Sequence, residues 1–325
     1  MNEGKVLTYR LVVPHVKCEI WKALSPKSIA KLEHLYSYFS GSKDSDEIER
    51  WLDRDFEVPA SLSIAKVVTE SRLTSEDWNN LFRFAVAQSV RTPAGLHSFM
   101  KRQSETLEAV LSESMKGSVA RIDAALTSGV HLEPAQVLDP FDKLPLKIEL
   151  VNKDGEEGIQ ARVLNGRKLW IWHLENVLKS VIHRMPTHRW TILRAPDGVT
   201  WPTTDNPFTR LSIGENGKWN LEGGWGVRDT RLFMPLSPKH LLFACVGSRP
   251  PQRGTTLSIE EAAFFRMMIL NGASRYVYAS ETRDIESYLP RTVSRELYDA
   301  EQKLWADWHE SQSREEAEYP DLKGI

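Results

Sequence analysis

Four polar side chains have the types to do chemistry and stand where the chain otherwise lays down apolar surface: Gln88, Arg91, Asp205 and Asn206. Trp78, Leu81, Phe82 and Ala85 recur at three- and four-residue spacing, and extending that stripe by three reaches Gln88, then Arg91. An amide and a guanidinium on such a face each cost roughly 1–3 kcal/mol if left without partners. Arg91 therefore either pairs with a carboxylate, for which Asp205 is the leading choice, or joins Gln88 in clamping a ligand's carboxylate or phosphate. Asp205 and Asn206 lie in Trp201-Pro202-Thr203-Thr204-Asp205-Asn206-Pro207-Phe208, after a strand and a turn containing Gly198. Asp-Asn before proline forms an Asx-type turn by default. At a strand end Asp205 also suits a general base or metal ligand, with Asn206 orienting the substrate.

The remaining motifs carry less. Met234-Pro235-Leu236-Ser237-Pro238 reads as a stiffened loop between strands, and Ser237 has no base in view, so a structural turn is expected. No glycine-rich nucleotide loop, Gly-x-Ser-x-Gly elbow or His-Glu-x-x-His occurs. His183 and His188 are separated across Pro186, so no single helix face presents both, and no metal site is expected. The only cysteines, Cys18 and Cys245, build neither a disulfide framework nor a zinc cage, which suits a reducing, cytoplasmic setting. Any cofactor stays open.

The elements that must hold these residues divide the 325-residue chain into a mainly helical part, 1–150, and a strand-rich part with C-terminal helices, 151–325, either as two units or as one integrated domain. A helix should start at Thr74, with Asp77 in its first turn, and end at Pro93; helical spacing resumes from Leu96 to Ser128. A short helix over Ser45–Trp51 should stop before Pro59. Alternation at Leu11 and Val13, then Val16, Cys18 and Ile20, suggests strand pieces broken at Pro14. Asn152–Gly158 suits a hairpin tip or linker, and Lys168–Ile182 a helix. Trp190–Leu193, Trp219–Leu221, Arg231–Met234 and Leu241–Val246 read as an antiparallel sheet. Thr256-Leu257-Ser258-Ile259-Glu260-Glu261 offers capping residues before a helix over Ala262–Leu270, Arg275–Ala279 is strand-like, and charged Arg291–Glu316 is a solvated helix. The expected class is α+β, with the helical half packed on a mostly antiparallel sheet.

Forty-two Lys and Arg against forty-four Asp and Glu give a net charge of -2, so no overall field calls for nucleic acid. Charges among residues 1–25 interrupt any leader or membrane span. Eleven tryptophans permit self-association; partners are otherwise unspecified.

Three patterns in this order, Gln88-x-x-Arg91-Thr92-Pro93, Thr203-x-Asp205-Asn206-Pro207 and Pro235-Leu236-Ser237-Pro238, resemble the bacterial family called domain of unknown function 4238. Ser25-Pro26-Lys27-Ser28-Ile29-Ala30, Leu35-Tyr36-Ser37-Tyr38-Phe39, Ile48-Glu49 and Asn271 ahead of Ala273-Ser274-Arg275-Tyr276-Val277-Tyr278 extend the resemblance over about residues 18 to 280. Members typically open with His-Tyr-Val-Pro, whereas this chain has Leu11-Val12-Val13-Pro14-His15, its histidine after the proline. The resemblance implies no activity.

Two functional expectations follow. In one, Gln88, Arg91, Asp205 and Asn206 line a cleft between the helical half and the sheet in a hydrolase acting on a phosphate- or amide-containing substrate, a nuclease, toxin or defence protein included. In the other, the same groups form a buried network in a non-catalytic binding or regulatory protein, a degenerate family member.

Overall fold

The computed structural model describes residues 5–25, 38–40, 43–45, 47–129, 146–153, 156–163, 167–184, 188–214, 217–221 and 223–318. Of the segments quoted for the resemblance, residues 26–30 and 35–37 lie outside these. The fold is α+β.

The chain starts with strands β1 (Val6–Arg10), β2 (Val12–Val13) and β3 (Trp21–Leu24), then a hairpin of β4 (Tyr38–Ser40) and β5 (Lys43–Ser45). Helix α1 (Glu47–Leu52) runs through a π-helical turn, Asp53–Glu57, into α2 (Val58–Val68). Pro59 therefore opens a helix instead of ending one, because in a first turn its missing N–H has no bond to lose. Sequence reading passed over α2, whose Ile64, Val67 and Val68 are β-branched and weaken the helical signal.

Helix α3 (Ser75–Val90) begins as its residues require. Thr74 Oγ1 accepts from the Asp77 amide at 3.2 Å, while Asp77 Oδ2 accepts from the Thr74 amide at 2.8 Å. Asp77 also receives Lys66 Nζ (2.7 Å) and Ser63 Oγ (3.2 Å) from α2, so one buried carboxylate caps α3 and ties it to its neighbour. Pro93 opens α4 (Pro93–Ser128).

Strands β6 (Leu146–Lys153) and β7 (Glu156–Val163) then pair antiparallel, Asn152 opposite Glu157 and Lys153 opposite Glu156, within the Asn152–Gly158 signal, whose residues 154–155 lie outside the described ones. Helix α5 (Arg167–Glu175) continues through a π turn and a 3-10 turn to Arg184. Its Trp170 is fully buried with Phe99, and His173 stacks on Phe99 at 4.3 Å.

Next come β8 (Trp190–Arg194), β9 (Thr203–Thr204), β10 (Thr209–Ile213), β11 (Trp219–Asn220), β12 (Arg231–Pro235) and β13 (His240–Cys245). All but β9 form one antiparallel sheet in the order β11-β10-β12-β13-β8. Both of its faces are covered. Ile192, Leu232, Leu242 and Ala244 pack with Leu81 and Ala85 of α3. The alternate residues Leu193, Phe233, Leu241 and Phe243 pack with Ala262, Phe265 and Ile269 of α6 (Ile259–Asn271). Two covered faces explain why Leu241–Val246 is unbroken apolar sequence without polar alternation.

The second sheet, β3-β1-β14-β9, uses β14 (Tyr276–Ala279), so the first and last parts of the chain share one ladder. After α7 (Ile285–Tyr288), β15 (Thr292–Val293) pairs in parallel with β2, and α8 (Arg295–Glu318) places Glu301 on Arg10 at 3.0 Å. The strand expected at Val16–Ile20 is absent; Arg291 donates to the carbonyls of Val16, Cys18 and Glu19, replacing ladder bonds, and Val16 is 72% exposed. No helix among the described residues is long and apolar enough to cross a membrane.

Leu81 is fully buried between α3 and the sheet, so Leu81→Ala should cost about 2–5 kcal/mol, read as a lower urea midpoint with an unchanged slope. Burial, aided by Arg102, pushes the His173 imidazole down to about 4. The unfolded chain then binds the extra proton first, so stability should be full above pH 6.5 and fall by about 3 kcal/mol as pH drops to 4. His173→Phe should remove that part of the acid limb in urea titrations at successive pH values.

Candidate functional site

Arg91 has a carboxylate partner, but it is Glu57 at the end of the π-helical turn, not Asp205. Its guanidinium lies 6.0 Å from the Phe84 ring, and Gln88 is half-buried one turn earlier on α3. This is a correction to the expected Arg91–Asp205 pair, and its cause is local: α2 and the turn before it, unseen in the sequence, bring Glu57 under the end of α3.

Asp205 and Asn206 do different work. Asp205 Oδ1 accepts from the Ser274 amide and Oδ2 from the Arg275 amide, both at 2.9 Å. The Arg275 guanidinium lies 3.6 Å away, and the carboxylate is 5% exposed. Asn206 Nδ2 donates to the carbonyl of Gly272, the C-cap of α6, at 3.1 Å. Adjacent side chains thus fasten β9 to the corner between α6 and β14, which is the Ala273–Tyr278 segment singled out in the sequence. Phe208, three residues past Asp205, stacks on Trp225 at 5.0 Å, and Trp225 meets Phe82 of α3 edge-on at 6.1 Å. The motif reaches the helical layer through aromatic rings, while its polar end faces the α6 corner. The four predicted residues are therefore not joined: Gln88 and Arg91 belong to the helical layer, Asp205 and Asn206 to the α6–β14 corner.

A different group of reactive side chains is assembled where the β12–β13 turn meets the α2–α3 turn. Ser237 Oγ lies 2.8 Å from His240 Nδ1, so the base missing from the sequence reading sits three residues along the same turn. The serine oxygen also accepts from the amides of Lys239 and His240, each at 3.1 Å. With both acceptor positions used, its own proton points to Nδ1, which leaves the histidine proton on Nε2. Nε2 lies 3.8 Å from Glu70 Oε1, an electrostatic contact beyond hydrogen-bond reach. Glu70 also pairs with Arg194 at the end of β8, and Arg253 Nη2 binds the carbonyl of Ser71 at 2.7 Å. His240 is buried, Ser237 is partly exposed, and Glu70 and Arg194 face solvent.

Electrostatics favour a neutral imidazole. Burial lowers the His240 pKa most, Glu70 pulls it up, and Arg194 and Arg253 push it down, for a net shift below the ordinary value. The signal for this group was Ser-Pro-Lys-His at a turn between two strands. Glu70 had none, because only the folded chain brings residue 70 to residue 240. Among the described residues no three His, Cys, Asp or Glu are placed to hold a metal ion.

Asp205→Asn would replace an acceptor with an NH₂ group facing a backbone N–H. It should cost about 1–3 kcal/mol, with the native fold retained, as measured by thermal unfolding and circular dichroism.

No curated protein and no solved structure matches the chain. One family model does, over residues 2–283, which takes in all three motifs, the Ser237–His240 turn, Glu70 and both arginines but not α8. The chain belongs to the family described as Protein of unknown function (DUF4238).

Proposed function

We propose that Ser237, His240 and Glu70 are the reactive centre of a hydrolase acting on a phosphate- or amide-containing substrate. The observation that carries this reading is the 2.8 Å contact between Ser237 Oγ and His240 Nδ1, a nucleophile within proton-transfer distance of a base that is neutral near pH 7.

The chemistry is in two halves. Ser237 Oγ attacks the phosphorus or carbonyl carbon as its proton passes to Nδ1; the bond to the leaving group breaks, and that group takes the proton from His240. Water, deprotonated by the same nitrogen, then cleaves the serine ester and restores the hydroxyl. The amides of Lys239 and His240 steady negative charge on Oγ as the proton leaves, and Glu70 steadies the imidazolium. Arg194 and Arg253 supply positive charge at the same turn. Asp205 serves as a tie in this scheme, since both its oxygens are engaged by backbone amides.

The second reading, a non-catalytic binding or regulatory protein, is favoured by the same two amides. A serine oxygen that accepts twice from its own turn is a hydrogen-bonded turn in itself.

The readings separate in a hydrolysis assay of the full chain with p-nitrophenyl phosphate, bis-p-nitrophenyl phosphate and a p-nitroanilide. The hydrolase reading expects turnover of at least one, abolished by Ser237→Ala and reduced about 10²–10⁴-fold by His240→Gln. Because only the neutral base accepts a proton, the rate should rise with pH through an apparent pKa below about 6.5 and then level off. Turnover that survives Ser237→Ala would sink the hydrolase centre, and no turnover would favour the binding protein.

A further inference from the structure

We propose that Arg194 is a positioning residue of the Ser237–His240 centre: by holding one oxygen of Glu70, it keeps that carboxylate from closing onto His240 Nε2. The proposal rests on the hydrolase reading for the role of His240 as base and adds what tunes that base.

Strand register makes Arg194 a fixed neighbour of the histidine. In the β13–β8 ladder Arg194 stands directly opposite His240, so the two side chains leave the same face of the sheet side by side. The end of β8 is also held from its other edge: the Arg194 amide donates to the carbonyl of Thr255 at 2.9 Å, and the Arg194 carbonyl accepts from the Leu257 amide at 3.1 Å. Gly254 lies against the guanidinium, where a β-carbon would stand 3.8 Å from Cζ. Glu70 reaches this cross-strand pair from the α2–α3 turn. Its Oε2 is on Arg194 Nη2, while Oε1 lies 3.8 Å from His240 Nε2, so one carboxylate is divided between the two.

The division decides how strong a base the imidazole is. With the Ser237 hydroxyl at Nδ1, the ring proton sits on Nε2, the side that faces Glu70. A side-chain shift of about 1 Å would turn that contact into a charge-assisted hydrogen bond. Glu70 is half-exposed and has room to make the shift, so the bond to Arg194 is what withholds it. Closing would favour the imidazolium and raise the His240 pKa, whereas burial, with Glu70 held at a distance, now leaves it below the ordinary value. Of the other charges near the ring, Arg253 in the β13–α6 loop opposes protonation, and the Lys239 ammonium on the same turn is engaged by the carbonyl of Val199 at 2.8 Å. A base that stays neutral at pH 7 can take the Ser237 proton, and one already protonated cannot.

The test is the pH titration of the His240 ring, followed by NMR of the full chain and assigned by the signal lost in His240→Gln. Arg194→Met should raise the His240 pKa by about 1, and Glu70→Gln should lower it. The two changes should not add: in the Glu70→Gln background, Arg194→Met should raise the pKa less than half as far, because only direct repulsion by the guanidinium is left to remove. Arg194→Lys, which gives Glu70 a cation again, should return the pKa most of the way to the wild-type value. Arg194→Gln repeats the measurement should circular dichroism show the Met variant unfolded. An unchanged or lower pKa without the guanidinium, or an equal rise with and without Glu70, would overturn the proposal. Where turnover is measured, the rising limb of the pH–rate profile should move up with the NMR titration. The titration needs no substrate: if its shifts appear and none of the chromogenic substrates is turned over, the hold of Arg194 on Glu70 stands and the hydrolase reading falls. Ser237-dependent turnover without those shifts gives the reverse.

Discussion

A buried carboxylate governs how the helical layer meets the sheet. Asp77 is 4% exposed, and its charge is balanced by the Lys66 ammonium, the Ser63 hydroxyl and both the amide and hydroxyl of Thr74. Lys66 first, then Thr74, hold its carboxyl well below the usual carboxylate range. One side chain thus caps α3, binds α2 and fixes the turn between them. That turn ends on the five-stranded sheet, where Arg253 holds Ser71 and Arg194 meets Glu70. The strained backbone at Glu70 persists because its surroundings over-determine it.

The same logic recurs around the second, four-stranded sheet. Asp205 and Asn206 tie β9 to the α6–β14 corner through backbone groups, and Glu301 of α8 holds Arg10 of β1 while Tyr298 lies 4.2 Å beneath that guanidinium. Polar ties at loops and corners set where the apolar layers stop, and the apolar layers supply the bulk of the stabilisation. At the β12–β13 turn, where the proposed chemistry is placed, Ser237 and the two arginines stay partly open to solvent beside the buried His240.

Much of the fold was legible because its signals are local. The capping boxes at Thr74–Asp77 and Ser258–Glu261 mark helix starts within four residues, and the run Leu241–Val246 marks a strand covered on both sides. Helix α2 and strand β10 were not legible: β-branched residues and serines blur the helical period of one, and Thr209–Ile213 is a short strand whose partner lies further along the chain. The polar stripe on α3 correctly demanded a carboxylate for Arg91, but the identity of that carboxylate depended on the unseen helix. At the β12–β13 turn, Ser237 was visible and His240 lay three residues away, yet only the hairpin geometry directs Nδ1 at the hydroxyl. Glu70 and Arg194 are joined by tertiary structure alone, which no spacing along the chain encodes.

The central claim, that Ser237 is a nucleophile driven by His240, is tested most directly by labelling. A fluorophosphonate forms a phosphonyl ester only with a serine whose proton is removed during attack, and tryptic mass spectrometry reads which residue carries it. The account predicts a single adduct on Ser237 of the folded chain, lost in His240→Gln. An unmodified chain, or an adduct on another serine with Ser237 untouched, would contradict it.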